Sequence, residues 1–334
     1  MTVTPKLDAL NRSAGIRSQS QPSKQLVLPS RRAVMLGAGA LSLGPVLAAC
    51  SRKDPFAASR STEGTANGTL TVGSSQYYSN EIIAELFAQM LEGTGFKVDR
   101  QFHIGPREVF LPEVEMGKID VMPEYGGNLL QYYDKSGTAT DADSVHKALL
   151  GGVLPKDLTV LDAAAATDQD SYTVTRATAE QYGLVSMEDL SKLGRRLKMA
   201  ANAEFATRPY GPDGLKSVYN VEVEVTPVGD SGGPLTVKAL TDGTVDVANI
   251  FTASPAIKEN DLVVLSDPKA LILPEQVTPL VNVSVPLAAV SAIGKVTAQL
   301  STEELQALNT RSTKEQLDAA KIAKDWLTAK HLLA

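Results

Sequence analysis

The sequence predicts an α/β protein of two similar lobes, and three observations carry that prediction. From Thr69 onward short apolar strands alternate with amphipathic helices, the order that builds largely parallel sheets faced by helices. The stretch Glu115 to Val121 is echoed by Thr241 to Val247, each a helix end, a glycine stop and a strand opening with Asp-Val. The chain has 334 residues, 43% of them hydrophobic, enough to fill two separate cores.

The elements follow in order. Thr69 to Gly73 is a buried strand, and Ser79 or Asn80 caps a helix whose apolar residues Ile82, Ile83, Leu86, Phe87, Met90 and Leu91 keep the helical period. Gly93 and Gly95 end it, and Phe96 to Phe102 alternates like a strand. A helix from Glu108 to Met116 closes at Gly117, and the strand Ile119 to Met122 is stopped by Pro123. A capped helix (Asp141 to Leu150) and a strand (Leu158 to Leu161) complete the first block. The second block begins at Tyr172, with strands at Arg196 to Ala201 and Val221 to Val225 and a helix at Gly214 to Tyr219. Helices at Ser301 to Asn309 and Thr313 to Lys330 end the chain, with Trp326 as a core anchor. Five residues beyond Asp120 stands Tyr125, and five beyond Asp246 stands Phe251. Ligands collect beyond the carboxyl ends of strands in open α/β sheets, so this register points one aromatic from each lobe toward a shared cleft.

The amino end differs from the body. Residues 1–49 carry +5, leaving −11 for Cys50 to Ala334. An acidic body argues against nucleic acid and suits a cationic small ligand. Arg31-Arg32 precede an apolar, Gly- and Ala-rich run that ends Leu47-Ala48-Ala49-Cys50. That pattern reads as a twin-arginine-type lipoprotein signal peptide over 1–49, with Cys50 the lipidated residue and residues 50–68 a flexible tether. Cys50 is the only cysteine, which excludes an intrachain disulfide and a cysteine-rich metal site. No metal and no cofactor are expected.

Gly229 to Leu235 spells GDSGGPL, the nucleophile loop of trypsin-like proteases, which makes Ser231 a candidate nucleophile. The three histidines, His103, His146 and His331, lack the context of a triad base. The local physics favours a turn and helix cap: Pro234 in the first turn, Asp230 and Ser231 accepting from free amides. A serine hydrolase stays only a remote alternative, and the protein is read as not an enzyme.

Several blocks, taken in order, resemble one family: Thr71-Val-Gly-Ser-Ser, Gly117-Lys-Ile-Asp-Val-Met-Pro-Glu-Tyr125, Tyr182-Gly-Leu, Glu204-Phe-Ala-Thr-Arg208 and Leu262 to Asp267. The chain is similar to the substrate-binding lipoproteins of osmoprotectant (glycine betaine, choline, carnitine) ABC transporters. The resemblance implies a type II periplasmic-binding-protein-like fold with two crossovers, near 166–171 and 273–279, and a ligand in the interlobe cleft. It divides the body into lobe 1 (69–167 plus 277–334) and lobe 2 (168–276). It implies a monomeric receptor, exported and lipid-anchored at the outer face of the membrane, serving an ABC permease.

The resemblance also implies a cage for a quaternary ammonium group: Tyr125, Tyr172, Tyr219 and Phe251 as aromatic walls, with Arg208 forking onto a ligand carboxylate. Ser75, Gln76, Tyr77 and Asn128 are expected as further contacts. The family's Gly-Ser-Lys is Gly73-Ser74-Ser75 here, and a family threonine is Asn128. Losing a cationic donor weakens the case for compact glycine betaine. It leaves room for choline, a longer carnitine-like solute or another trimethylammonium compound such as ergothioneine. The alternative reading keeps the fold and changes the ligand to another polar solute such as an amino acid.

Overall fold

The computed structural model describes residues 68–333. The expected leader (1–49), the lipidation site Cys50 and all but the last residue of the tether lie outside the described residues. Among the described residues there are ten strands: β1 (Thr69–Gly73), β2 (Lys97–Gln101), β3 (Val121–Tyr125), β4 (Leu158–Val160), β5 (Thr173–Thr175), β6 (Leu197–Ala201), β7 (Val223–Pro227), β8 (Val247–Ala248), β9 (Leu262–Val264) and β10 (Val277–Asn282). They form two sheets on one plan, ordered β2-β1-β3-β10-β4 and β7-β6-β8-β5-β9. In each sheet the first three members are parallel, while β10 and β5 run antiparallel to both neighbours. The sheets are therefore mixed rather than largely parallel. The reason is the connectivity: β10 and β5 each enter from the other lobe and arrive pointing the opposite way.

The Asp-Val echo is a repeated clasp. Thr71 N donates to the Asp120 carboxylate (2.7 Å), while Asp120 N donates to the Thr71 carbonyl (2.9 Å). Lys198 N and Asp246 repeat both bonds, at 2.8 and 2.9 Å. Each aspartate thus locks the start of its strand onto the strand beside it, β3 onto β1 and β8 onto β6.

Pro123 does not stop β3. It sits mid-strand, directly opposite Pro279 of β10. Neither proline has an N–H, so the two share a non-hydrogen-bonded position of the ladder. The Pro123 carbonyl instead accepts from Asn80 Nδ2 at 3.0 Å. Ser79 and Asn80 are not caps either: the helix runs Tyr78–Gly93, with Tyr77 at its N-cap. Their side chains are drawn elsewhere, Asn80 Oδ1 to Ser75 N (2.7 Å) and Ser79 Oγ to Asp168 (2.8 Å).

Three helices close the chain, Leu287–Thr297, Thr302–Glu315 and Ala319–Ala329. The last break falls at left-handed Gln316 (φ 55°), later than the periodicity indicates, and the first of the three was not anticipated. They share one core with the Tyr78–Gly93 helix. There Trp326 is buried and its Nε1 donates to Glu304 at 2.6 Å. Two crossovers join the sheets, residues 161–172 and 265–276. They are tied to each other by the bridge Thr167↔Gln276 and the bond Asp168 N to the Glu275 carbonyl. Among the described residues no helix is long and apolar enough to cross a membrane.

Candidate functional site

The carboxyl ends of β1 and β3 face those of β6 and β8 across a cleft, and a pocket lies there. From the first lobe come Tyr77, in the loop after β1, and Tyr125, the last residue of β3. Their rings stack at 6.3 Å. From the second comes Phe251, whose ring meets Tyr77 at 5.0 Å. Phe205 and Tyr210, in the segment after β6, form a further wall, edge to face at 5.6 Å. The loop carrying Tyr210 is held tightly, since a Cβ on Gly214 would come within 1.9 Å of the Pro209 carbonyl. Gly127 is under a similar constraint. A Cβ there would come within 2.8 Å of the Pro274 carbonyl, and its absence lets the helix Gly126–Tyr133 abut the second crossover, with Gly127 N donating to that carbonyl at 3.0 Å.

The floor is acidic. Asp168 and Asp170 come from the first crossover and Glu275 from the second, each nearly inaccessible. Asp168 accepts from Ser79 Oγ (2.8 Å) and Ala253 N (2.9 Å). Asp170 accepts from Asn128 Nδ2 and Asn249 Nδ2 (both 2.9 Å) and from the Tyr210 hydroxyl (2.8 Å). Glu275 shares Asn128 Nδ2, at 2.8 Å. Burial raises Asp168 to about 6 and lifts Glu275 well above the ordinary glutamate value, with neighbouring Asp170 adding to both. Burial also raises Tyr77, Tyr125 and Tyr210, so these phenols stay neutral. A fourth acid, Glu124, is neutralised by Arg107 through two bonds of 2.7 Å.

Residues 68–329 match the protein family described as the substrate binding domain of ABC-type glycine betaine transport systems. The chain belongs to that family. It is 26% identical over 283 residues to the glycine betaine-binding protein YehZ of Escherichia coli, spanning 78% of this chain and 90% of that one. Over 278 residues it is 24% identical to a glycine-betaine-binding protein of Pseudomonas aeruginosa, spanning 79% and 89%. A crystal structure described as a glycine betaine/carnitine/choline ABC transporter shares its two-lobed fold, with a TM-score of 0.65 at 23% identity over 79% of this chain and 99% of that one.

This substrate-binding domain gathers most of the residues singled out in the sequence. Ser75, Gln76, Tyr77, Tyr125, Asn128, Arg208 and Phe251 all line the pocket. Tyr172 and Tyr219 do not, and this corrects the expected cage. Tyr172 is fully buried behind Phe205, ring to ring at 5.8 Å, with its hydroxyl donating to the Tyr210 carbonyl at 2.7 Å. Tyr219 turns away to bond Asp267 and Lys269 N, and Lys269 Nζ lies 4.7 Å over its ring. Its aromatic face is already occupied by a cation of the chain itself.

Arg208 forks onto a carboxylate of the protein, Glu108 of the opposite lobe, at 2.8 and 3.2 Å. In GDSGGPL, Pro234 opens the helix Pro234–Thr241 after an N-cap at Gly233, and Asp230 satisfies its first turn, accepting from Leu235 N and Thr236 N. Ser231 does not cap. Held at φ 53°, it lines the pocket and accepts from Asn202 Nδ2 (3.1 Å) and Gln76 Nε2 (3.5 Å). Both partners are amides, and neither is a base.

Sequence reasoning missed Phe205, Tyr210, Asp168, Asp170 and Glu275. Phe205 stood inside a quoted block, three residues before Arg208. The acids carried a subtler signal, charged residues within segments expected to cross between lobes.

Proposed function

We propose that the chain is the extracytoplasmic receptor of an ABC transporter, capturing a quaternary-ammonium solute between its lobes and handing it to the permease. The observation that carries this reading is the aromatic lining shared by both lobes, Tyr77 and Tyr125 against Phe251, with Phe205 and Tyr210 alongside. A trimethylammonium group has no N–H to donate, and its charge is spread over methyl groups. Aromatic faces bind such a group through cation–π attraction, worth about 2 kcal/mol when desolvated, and through methyl packing. Lobes linked by two crossovers can hinge shut around it. The family and its glycine betaine-binding relatives point the same way.

Calorimetric titration with choline, glycine betaine and carnitine tests the reading. Heat with at least one of them, lost in Tyr125→Ala, is the expected result. Silence with all three, or binding of an amino acid alone, refutes it. Export and anchoring belong to the same proposal and rest on Arg31-Arg32 and on Leu47-Ala48-Ala49-Cys50. Labelled fatty acid should enter the expressed chain and be absent from Cys50→Ala; equal labelling of both would refute the anchor.

A further inference from the structure

Asp168, Asp170 and Glu275 are 3%, 6% and 2% exposed. A buried carboxylate is costly unless a cation or several hydrogen bonds compensate it. All the hydrogen bonds named above for these acids come from neutral donors: a hydroxyl, a phenol, amides and a backbone N–H. The two arginines that reach the pocket are already committed, Arg107 to Glu124 and Arg208 to Glu108. No ion pair among the described residues involves any of the three acids. Glu204 at the rim adds a further negative charge.

A second observation is independent of the acids. The Tyr125 hydroxyl is buried in the wall of the same pocket and, among the described residues, no partner meets it in hydrogen-bond geometry. Buried polar groups are nearly always paired, so a partner is to be sought in what the pocket receives.

We propose that the missing counter-charge is the solute itself: the pocket selects a net cation of the choline type over the zwitterion glycine betaine, and Asp168, Asp170 and Glu275 determine that choice. The inference rests on the quaternary-ammonium reading above and adds the sign of the solute's remaining group. Both compounds present the same trimethylammonium head to the rings. They differ at the far end, where choline has a hydroxyl and glycine betaine a carboxylate. A hydroxyl can donate to one of the acids and accept from the Tyr125 phenol. A carboxylate enclosed among these acids meets like charge wherever one of them is ionised, a repulsive element that works against the zwitterion.

A proton linkage follows. The charged and titratable groups facing the acids are the Arg107–Glu124 and Arg208–Glu108 pairs and the phenols of Tyr77, Tyr78, Tyr125 and Tyr210. Burial sets Asp168 at about 6, and a cation beside it favours the ionised form. Choline should therefore bind more tightly as pH rises through about 6, releasing protons as it does.

The test is calorimetry on the full chain with choline and with glycine betaine at pH 7.5, repeated with choline at pH 5. Choline should bind at least about tenfold more tightly than glycine betaine, and more weakly at the lower pH. Asp170→Asn and Glu275→Gln, with folding checked by circular dichroism, should each narrow the ratio; Glu275→Gln is nearly isosteric and guards against misfolding of the first. Glycine betaine binding as tightly as choline, or a ratio unchanged in both folded variants, overturns this inference and leaves the receptor reading standing. No heat from either compound overturns both.

Discussion

The two lobes share a plan yet present their aromatic rings to the cleft in different ways. Each locks a strand start with an aspartate clasp, and each places an aromatic five residues on, Tyr125 or Phe251. In the first lobe that residue still belongs to the sheet, since Tyr125 ends β3 and pairs with Val277 of β10. Beside it, the Arg107–Glu124 pair fixes the wall. In the second lobe β8 stops at Ala248, so Phe251, like Tyr210, stands on a loop, and Phe205 sits on the short 3-10 helix Ala203–Thr207. There a buried layer supplies the rigidity: Tyr172 props Phe205 and holds the Tyr210 carbonyl. The first lobe holds Tyr125 by the sheet, and the second holds its rings by packing behind them.

Four measurements break or sharpen that contrast. Arg107→Ala should have the largest effect. It strands Glu124 as a buried unpaired charge and should cost about 3–5 kcal/mol of stability in denaturant titration; a loss near zero would mean the first wall needs no ion pair. Tyr125→Ala and Phe251→Ala should each weaken solute binding roughly thirtyfold, from about 2 kcal/mol of lost cation–π contact. If only one of them matters, the two lobes do not share the load.

Tyr172→Phe should cost about 1 kcal/mol of stability through the lost bond to the Tyr210 carbonyl, while titration finds solute affinity changed less than about threefold. A large affinity loss would instead make Tyr172 part of the cage. The smallest effect concerns pH. The folded chain holds the Asp168 proton at about 6, more tightly than an unfolded aspartate near ~4. Its contribution to stability is complete below the unfolded value and is lost as pH rises through about 6. The melting temperature without added solute should fall more steeply between pH 5 and 7.5 in the parent chain than in Asp168→Asn.

Much of this was legible in sequence, and the legible part is local. Strand and helix periods, glycine stops and the Gly-x-x-Asp-Val spacing are each written within a few residues, so the register of Tyr125 and Phe251 could be read directly, although the clasp each aspartate makes spans 49 and 48 residues. Where the reading failed, a distant partner had intervened. Ser79 left its cap for Asp168, 89 residues on. Tyr172 found a carbonyl 38 residues away, and Tyr219 an aspartate 48 away. A phenol can face a pocket or a core equally well, and the choice depends on which partner its hydroxyl meets.

The sequence by itself determined that two α/β blocks would each aim an aromatic past a strand end, because backbone period and turn chemistry are properties of neighbouring residues. Only the tertiary structure decided that the floor would be acid. Asn128 reaches Asp170 and Glu275, 42 and 147 residues along the chain, and those carboxylates meet because two crossovers run side by side. The raised proton affinity of Asp168 and Glu275 is a consequence of burial and of Asp170 close by, and neither is written in any short stretch of residues.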